Sequence, residues 1–221
     1  MLQSPTLKFL KDLKLNNNKP WFDAHRKDYE AAREDFTVFI QKLIDSFAKK
    51  EPSIGHLTAK DCMFRINRDV RFSKDKSPYK TNFGAYINSE GKKSWTAGYY
   101  FHFEPGNSFC GGGMWMPEAA QLAKVRQEID YNLADFKKII TSKRFKDTYS
   151  GLDTSPEYVL TRIPKGYEAD NPAADYLKHK SFVATAPVSD SDLTDKSLVT
   201  KTIKAYEALQ PLVKFLNEAI A

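Results

Sequence analysis

The sequence predicts an α+β fold: an antiparallel sheet, with its meander core over about residues 62–115, packed against long N-terminal, middle and C-terminal helices. Three observations point there. Apolar and polar residues alternate with period two between Cys62 and Trp115, the pattern of strands buried on one face. On either side of that tract the apolar residues recur every three or four positions, the spacing of a helix stripe. Short turns separate the alternating runs, so successive strands pair antiparallel. Strands grouped together with helices at both ends make the class α+β. With 221 residues, 41% of them hydrophobic and 13% aromatic, the chain has the apolar content for one domain, 1–221, with its own core.

The elements follow in order. Leu7, Leu10 and Leu13, with Phe9 alongside, predict an amphipathic helix over Pro5–Leu15, broken by Asn16–Asn18. Pro20 suits a first helical turn and opens a helix from Lys19 to about Lys50, with Phe36, Phe39, Ile40, Leu43 and Phe47 as its stripe. Cys62–Phe72 reads as the first strand, with Cys62, Phe64, Ile66, Val70 and Phe72 inward. Thr81–Asn88 is the second, with Phe83, Ala85 and Ile87 inward. A turn over Ser89–Lys93 leads to the third, Ser94–Glu104, with Trp95, Ala97, Tyr99, Phe101 and Phe103 on one face. Ser108–Trp115 is the fourth. Glu118–Tyr149 reads as a helix, Tyr158–Ile163 and Phe182–Val188 as strands, Pro164–Tyr167 as a turn and Asn171–His179 as a short helix. Asp195–Ala221 closes the chain as a helix.

The charge is unevenly placed. Phe64–Lys80 carries Arg65, Arg68, Arg71, Lys74, Lys76 and Lys80 against Asp69 and Asp75, a net +4 of the chain's +6. Localised charge of one sign is a candidate anion site, and the planar fork of arginine matches phosphate and carboxylate. On a strand, Arg65, Asp69 and Arg71 share the polar face. Arg68 falls in the apolar phase, so either the strand bulges there or Arg68 reaches an acidic partner. Tyr79 and Lys80 follow Pro78 closely enough to fold back toward the same place. Arg65, Arg68, Arg71, Lys74, Lys76, Tyr79 and Lys80 are therefore the candidates for binding an anion. Trp21, His25 and Tyr29, spaced i, i+4, i+8, suit the wall of a pocket together with Tyr100 and Trp115. For acid–base chemistry the candidates are Asp69, Asp75 and His102, the last beside Tyr100 and Glu104.

Each of these has a plainer alternative. The charged stretch has as its alternative an ion-pair network that fixes the sheet, in a protein that serves as a non-enzymatic interaction module. A Trp–His–Tyr stripe is more often a packed patch with a satisfied histidine, and His102 more often an ordinary exposed histidine. Gly111, Gly112 and Gly113 either let another backbone approach closely or present bare N–H groups to an anion.

Several classes are excluded. The four histidines, His25, His56, His102 and His179, stand far apart, with no HExxH and no Cys-x-x-Cys, so neither a metal nor a cofactor is called. No G-x-S-x-G, G-x-G-x-x-G or kinase motif occurs, and the glycine run lacks the Lys and Ser/Thr of a P-loop. His102-Phe103-Glu104 matches half of a zinc-deaminase pattern whose cysteine half is missing. No run approaches the ~20 apolar residues that span a bilayer. The first residues lack the apolar core of a signal peptide, and two cysteines make no disulfide framework. A reduced, cytoplasmic protein without membrane association is expected.

Arg68 to Lys80, R-D-V-R-F-S-K-D-K-S-P-Y-K, carries a resemblance, supported by Trp21 to Tyr29 (W-F-D-A-H-R-K-D-Y), Gly111 to Pro117 and Ile163 to Tyr167. Together these resemble a family of conserved hypothetical proteins from bacteria, fungi and plants, catalogued as domain of unknown function 2461. The likeness runs over nearly the full length. It departs at Asn171, where the family pattern has histidine before the proline. The resemblance implies kinship and brings no activity with it. The functional expectation therefore rests on the residues: an anion site for a phosphate-containing ligand, either a small metabolite or nucleic acid. Any nucleic-acid binding is expected to be weak and non-specific, because about five basic side chains converge without a recognition motif.

Overall fold

A computed structural model of the protein describes residues 1–92 and 94–221. Lys93, the last residue of the turn predicted after the second strand, lies outside the described residues. Among these residues, ten helices and a four-stranded antiparallel sheet make up the α+β fold that the sequence predicts. The helices are α1 (Ser4–Leu15), α2 (Lys19–Ala24), α3 (Arg26–Phe47), α4 (Ala59–Cys62) and α5 (Ala119–Tyr131). After them come α6 (Leu133–Ile140), α7 (Lys143–Tyr149), α8 (Ala174–Leu177), α9 (Asp190–Leu193) and α10 (Leu198–Ile220). The strands β1 (Phe83–Ile87), β2 (Gly98–Phe103), β3 (Ser108–Met114) and β4 (Phe182–Val188) lie in the order β1-β2-β3-β4.

The first predicted strand is corrected. Cys62 ends α4, and Cys62–Phe72 then meets its neighbour only at isolated antiparallel bridges, Met63 with Ala85 and Asn67 with Tyr79. Two physical causes break the ladder. Pro78 has no N–H to return a bond, although its carbonyl accepts from Arg68 N at 2.9 Å. Farther along, the carboxylates of Asp69 and Asp75 accept the backbone N–H groups of Arg71 and Ser77, at 3.3 and 2.9 Å, and curl the chain into local turns. The alternation therefore loses its phase. Phe64 is 39% exposed and Phe72 96%, while Met63 and Ile66 are buried. Trp95, predicted inward, is also exposed, because β2 begins only at Gly98. The fourth strand of the sheet is β4, far along the chain.

Two long helices predicted as continuous are segmented. Asn18 caps α2 by accepting Trp21 N at 3.0 Å. The helix then breaks at His25, whose ring Nδ1 donates to the Trp21 carbonyl at 2.8 Å and whose φ of −110° leaves the helical range. Glu118–Tyr149 is divided at Asn132 and again at Ser142, which caps α7 by accepting Phe145 N. Tyr158–Ile163 is not a strand; Val159 makes one isolated bridge to His179.

By compactness the chain divides into two units. The first comprises Met1–Lys92, Tyr100–Cys110 and Pro187–Lys204. Its core is aromatic: Phe36 on α3 lies 5.4 Å from Phe83 and 6.2 Å from Phe103, and Phe39 lies 4.8 Å from Phe101. Helix α1 packs on α3, and Asp35 fastens its start by accepting Gln3 N at 2.8 Å and Thr6 Oγ1 at 2.6 Å. Because Phe101 and Phe103 point into this core, Tyr100 and His102 between them point to the opposite face of β2.

The second unit comprises Lys93–Tyr99, Gly111–Ala186 and Ala205–Ala221. Phe136 lies 5.2 Å from Tyr176 and 5.3 Å from Phe215, and Tyr149 donates to the Ala205 carbonyl at 2.6 Å. The glycine run settles on close backbone approach. A Cβ at Gly111, Gly112 or Gly113 would lie 2.1, 2.1 or 2.0 Å from the carbonyl oxygens of Ala184, Gly98 and Phe182. Gly112 and Gly113 also have φ of 150° and 116°, which L side chains rarely adopt.

Candidate functional site

The basic loop divides into a paired part and an unpaired part. Arg68, the residue out of phase in the sequence, does find an acid. Its guanidinium donates to Asp75, to Ser73 Oγ at 3.3 Å and to the Ser77 carbonyl at 3.2 Å. Ser77 donates to Asp75 from its hydroxyl at 2.7 Å and from its backbone N–H, and these bonds with Arg68 hold the Asp75 carboxyl down at about 2. Arg71 forks onto Asp69 with Nε at 2.9 Å and Nη2 at 2.7 Å, which holds Asp69 below the usual carboxylate range. Lys76 donates to the Val70 carbonyl at 2.9 Å. These contacts knot Arg68–Ser77 onto itself. Replacing Arg68 with alanine is expected to open the loop and make Lys74 and Lys76 the first sites of limited trypsin cleavage, with the melting temperature lower by about 2–4 °C. Unchanged cleavage kinetics would show that the knot holds nothing.

Arg65 and Lys80 are different. Neither side chain has a hydrogen bond or ion pair among the described residues; Lys74 shares that condition on the exposed tip. Lys80 is half-buried, with its ammonium 5.4 Å from the centre of the Phe64 ring. Burial, reinforced by the positive charge of Arg65, pushes Lys80 below its ordinary range. Phe64 in turn meets Tyr100 edge-on at 6.4 Å, which connects Lys80 to the face of β2 opposite the core.

On that face Tyr100, His102 and Glu104 form a chain. The Tyr100 hydroxyl lies 3.1 Å from His102 Nδ1, and His102 Nε2 lies 3.5 Å from Glu104 Oε2. The imidazole stacks on Phe109 at 4.6 Å with planes 9° apart. Burial alone would raise Glu104, but donors on Asn107, Thr81 and His102 hold it below the usual range. Thr81 Oγ1 is at 2.9 Å and Asn107 Nδ2 at 3.0 Å from its oxygens, with Lys14 at 3.9 Å. Burial depresses His102 against the pull of Glu104, and drives the Tyr100 phenol up to about 12. Tyr100 fits because Gly84 lies beneath it, where a Cβ would stand 2.5 Å from the hydroxyl. The sequence marked Tyr100 and His102; Asn82, Thr81 and Gly84 escaped it, although they precede or lie in the strand that pairs with β2.

Other sequence candidates lie elsewhere. Tyr79 is buried and stacks on Phe22 at 3.9 Å, with its backbone held by Asn17 through bonds of 2.9 and 3.1 Å. Trp21 stacks on His25 at 4.1 Å, and Phe9 lies 6.0 Å from Tyr29, so these rings form a patch with a satisfied histidine. Trp115 belongs to the second unit, where its indole N–H donates to the Tyr158 hydroxyl at 3.3 Å. No group of three or more His, Cys, Asp or Glu arranged to hold a metal ion occurs among the described residues. No described helix is long and apolar enough to cross a membrane.

Fold and site together define an α+β protein in which a basic loop borders a polar sheet face. The chain belongs to the family described as "Conserved hypothetical protein (DUF2461)", which it matches over residues 5–215. No curated protein and no solved structure matches it.

Proposed function

We propose that the protein binds a small oxyanionic ligand, a phosphate-bearing metabolite in the first instance, between Arg65 and Lys80 at the edge of the Tyr100–His102 face. One observation carries the reading: two neighbouring cations, one of them half-buried, form no ion pair or side-chain hydrogen bond among the described residues, although the charge of Arg65 reaches Asp69. Like charges without a paired acid raise the energy of the empty protein, and a bound anion relieves that cost. The second reading, an interaction module with a structural ion-pair network, gains support for Arg68 and Arg71, whose forks are already filled by Asp75 and Asp69. The ligand reading is therefore narrower than the full basic stretch.

Nucleic acid fits less well. With Arg65, Lys74 and Lys80 as the unpaired cations of the loop, about three phosphates are neutralised, and binding is weak and falls steeply with salt. A cytoplasmic setting suits Cys62 and Cys110, which are both buried, unpaired thiols.

Thermal unfolding with and without inorganic phosphate tests the proposal. Phosphate at about 100 times its dissociation constant stabilises by about 2.7 kcal/mol, a rise of roughly 5–10 °C. Lys80→Ala and Arg65→Ala should each remove most of that rise, whereas Arg71→Ala should keep it. A rise lost in Arg71→Ala and kept in Lys80→Ala, or no rise with any anion, refutes the assignment.

A further inference from the structure

His102 sits between unlike neighbours. Its Nδ1 faces the Tyr100 hydroxyl at 3.1 Å and Asn82 Nδ2 at 3.5 Å, while Nε2 faces the Glu104 carboxylate at 3.5 Å. An amide nitrogen only donates, so Nδ1 is the acceptor and the ring proton resides on Nε2, directed at Glu104. Tyr100 then donates to Nδ1. The strand on one side contributes the neutral Phe109 ring, and the segment leading into β1 contributes Asn82 against His102 and Thr81 against Glu104. Helix α1 contributes Lys14, directed at Glu104. The resting ring is thus a neutral base with a carboxylate on one side and a phenol proton on the other.

We propose that Glu104, His102 and Tyr100 form an acid–base relay for the anion held at Arg65 and Lys80, in which His102 takes up one proton as the anion binds. This rests on the anion-site reading above. An oxyanion is a stronger acceptor than a neutral imidazole, so the Tyr100 hydroxyl turns to donate to it, and the Asn82 amide turns over to present its oxygen to Nδ1. A proton from solvent then bonds to Nδ1, and the imidazolium lies between Glu104 and the new anion. No electrons are transferred. The phenol stays protonated throughout, since burial holds it far above neutral pH, and it serves to pass a hydrogen bond and not as an ionised base. For a ligand carrying an acidic proton of its own, the same path moves that proton from ligand to Tyr100 oxygen while the phenol proton moves to His102. The ligand class this favours is a small phosphate ester or carboxylate with a transferable proton near its anionic group.

Sulfate is the probe, because it is doubly charged across the neutral range and brings no proton. Calorimetric titration in two buffers of different ionisation enthalpy should give heats that differ by the uptake of up to one proton. NMR of the His102 ring should show its titration midpoint rising on saturation with sulfate. Sulfate should bind about tenfold more tightly on the acid side of that window for each unit of the rise. The proton uptake should vanish in His102→Gln, and the midpoint shift should shrink in Tyr100→Phe, which keeps the ring. Sulfate that binds with buffer-independent heat and leaves the His102 midpoint unmoved overturns the relay while the anion site stands. Sulfate that neither binds nor perturbs the Arg65 and Lys80 resonances overturns both.

Discussion

Gly112→Ala is expected to unfold the second unit, costing more than about 4 kcal/mol, or about 8 °C or more in melting temperature. The new methyl would lie 2.1 Å from the Gly98 carbonyl oxygen and 2.9 Å from Tyr99 Cα, atoms of the backbone that no rotamer change can move aside. The φ of 150° adds strain that glycine alone escapes. Relief would require β3 to move from its neighbour, breaking ladder hydrogen bonds and exposing the apolar residues behind them. Gly151 is the control: a Cβ there meets nothing within 4 Å, and alanine at that position should leave stability nearly unchanged. Urea unfolding of both variants decides the matter. A Gly112→Ala protein within about 1 kcal/mol of the parent would mean that the strands do not approach this closely.

That glycine run shows where sequence reading stops. Three consecutive glycines announce unusual backbone geometry, but whether their bare faces meet a ligand or another chain segment depends on long-range pairing that no local pattern encodes. The strands β1 and β2 were legible because Phe83, Ala85, Ile87, Tyr99, Phe101 and Phe103 alternate without interruption and all are buried. The tract Cys62–Phe72 alternates nearly as well, yet Pro78 and the carboxylates of Asp69 and Asp75 prevent a continuous ladder. Tertiary context overrides the local pattern there. The breaks at His25 and Ser142 were legible in principle, as a side chain that competes for the helix ladder and as a helix cap. In the candidate site the charges were visible, but their pairing was not. Arg68 with Asp75 and Arg71 with Asp69 turned half of the basic stretch inward on itself and left Arg65 and Lys80 without an ion pair of their own among the described residues.

Phe36→Ala and Phe72→Ala should separate sharply, although both phenylalanines belong to runs that read as inward in the sequence. Phe36 is fully buried and lies 5.4, 6.4 and 6.2 Å from Phe83, Phe101 and Phe103. Removing its ring leaves a cavity that aromatic neighbours fill poorly, a loss of about 3–5 kcal/mol and roughly 6–20 °C in melting temperature. The effect should reach the candidate site, because Phe101 and Phe103 flank His102 on β2 and fix the direction in which it points. Any Phe36→Ala protein that remains folded should therefore bind phosphate more weakly, although Arg65 and Lys80 are intact. Phe72 is 96% exposed, with the Arg71 guanidinium 5.8 Å from its ring centre as its recorded partner. Alanine there removes no buried surface, so the melting temperature should stay within about a degree or two of the parent, as for most surface substitutions. The comparison requires only thermal unfolding of the two variants side by side. If Phe72→Ala proves as costly as Phe36→Ala, the loop from Phe64 to Lys80 folds down onto the sheet as its alternation predicts. Arg65 and Lys80 would then lose the setting in which they stand unpaired, and the anion site would fall with them.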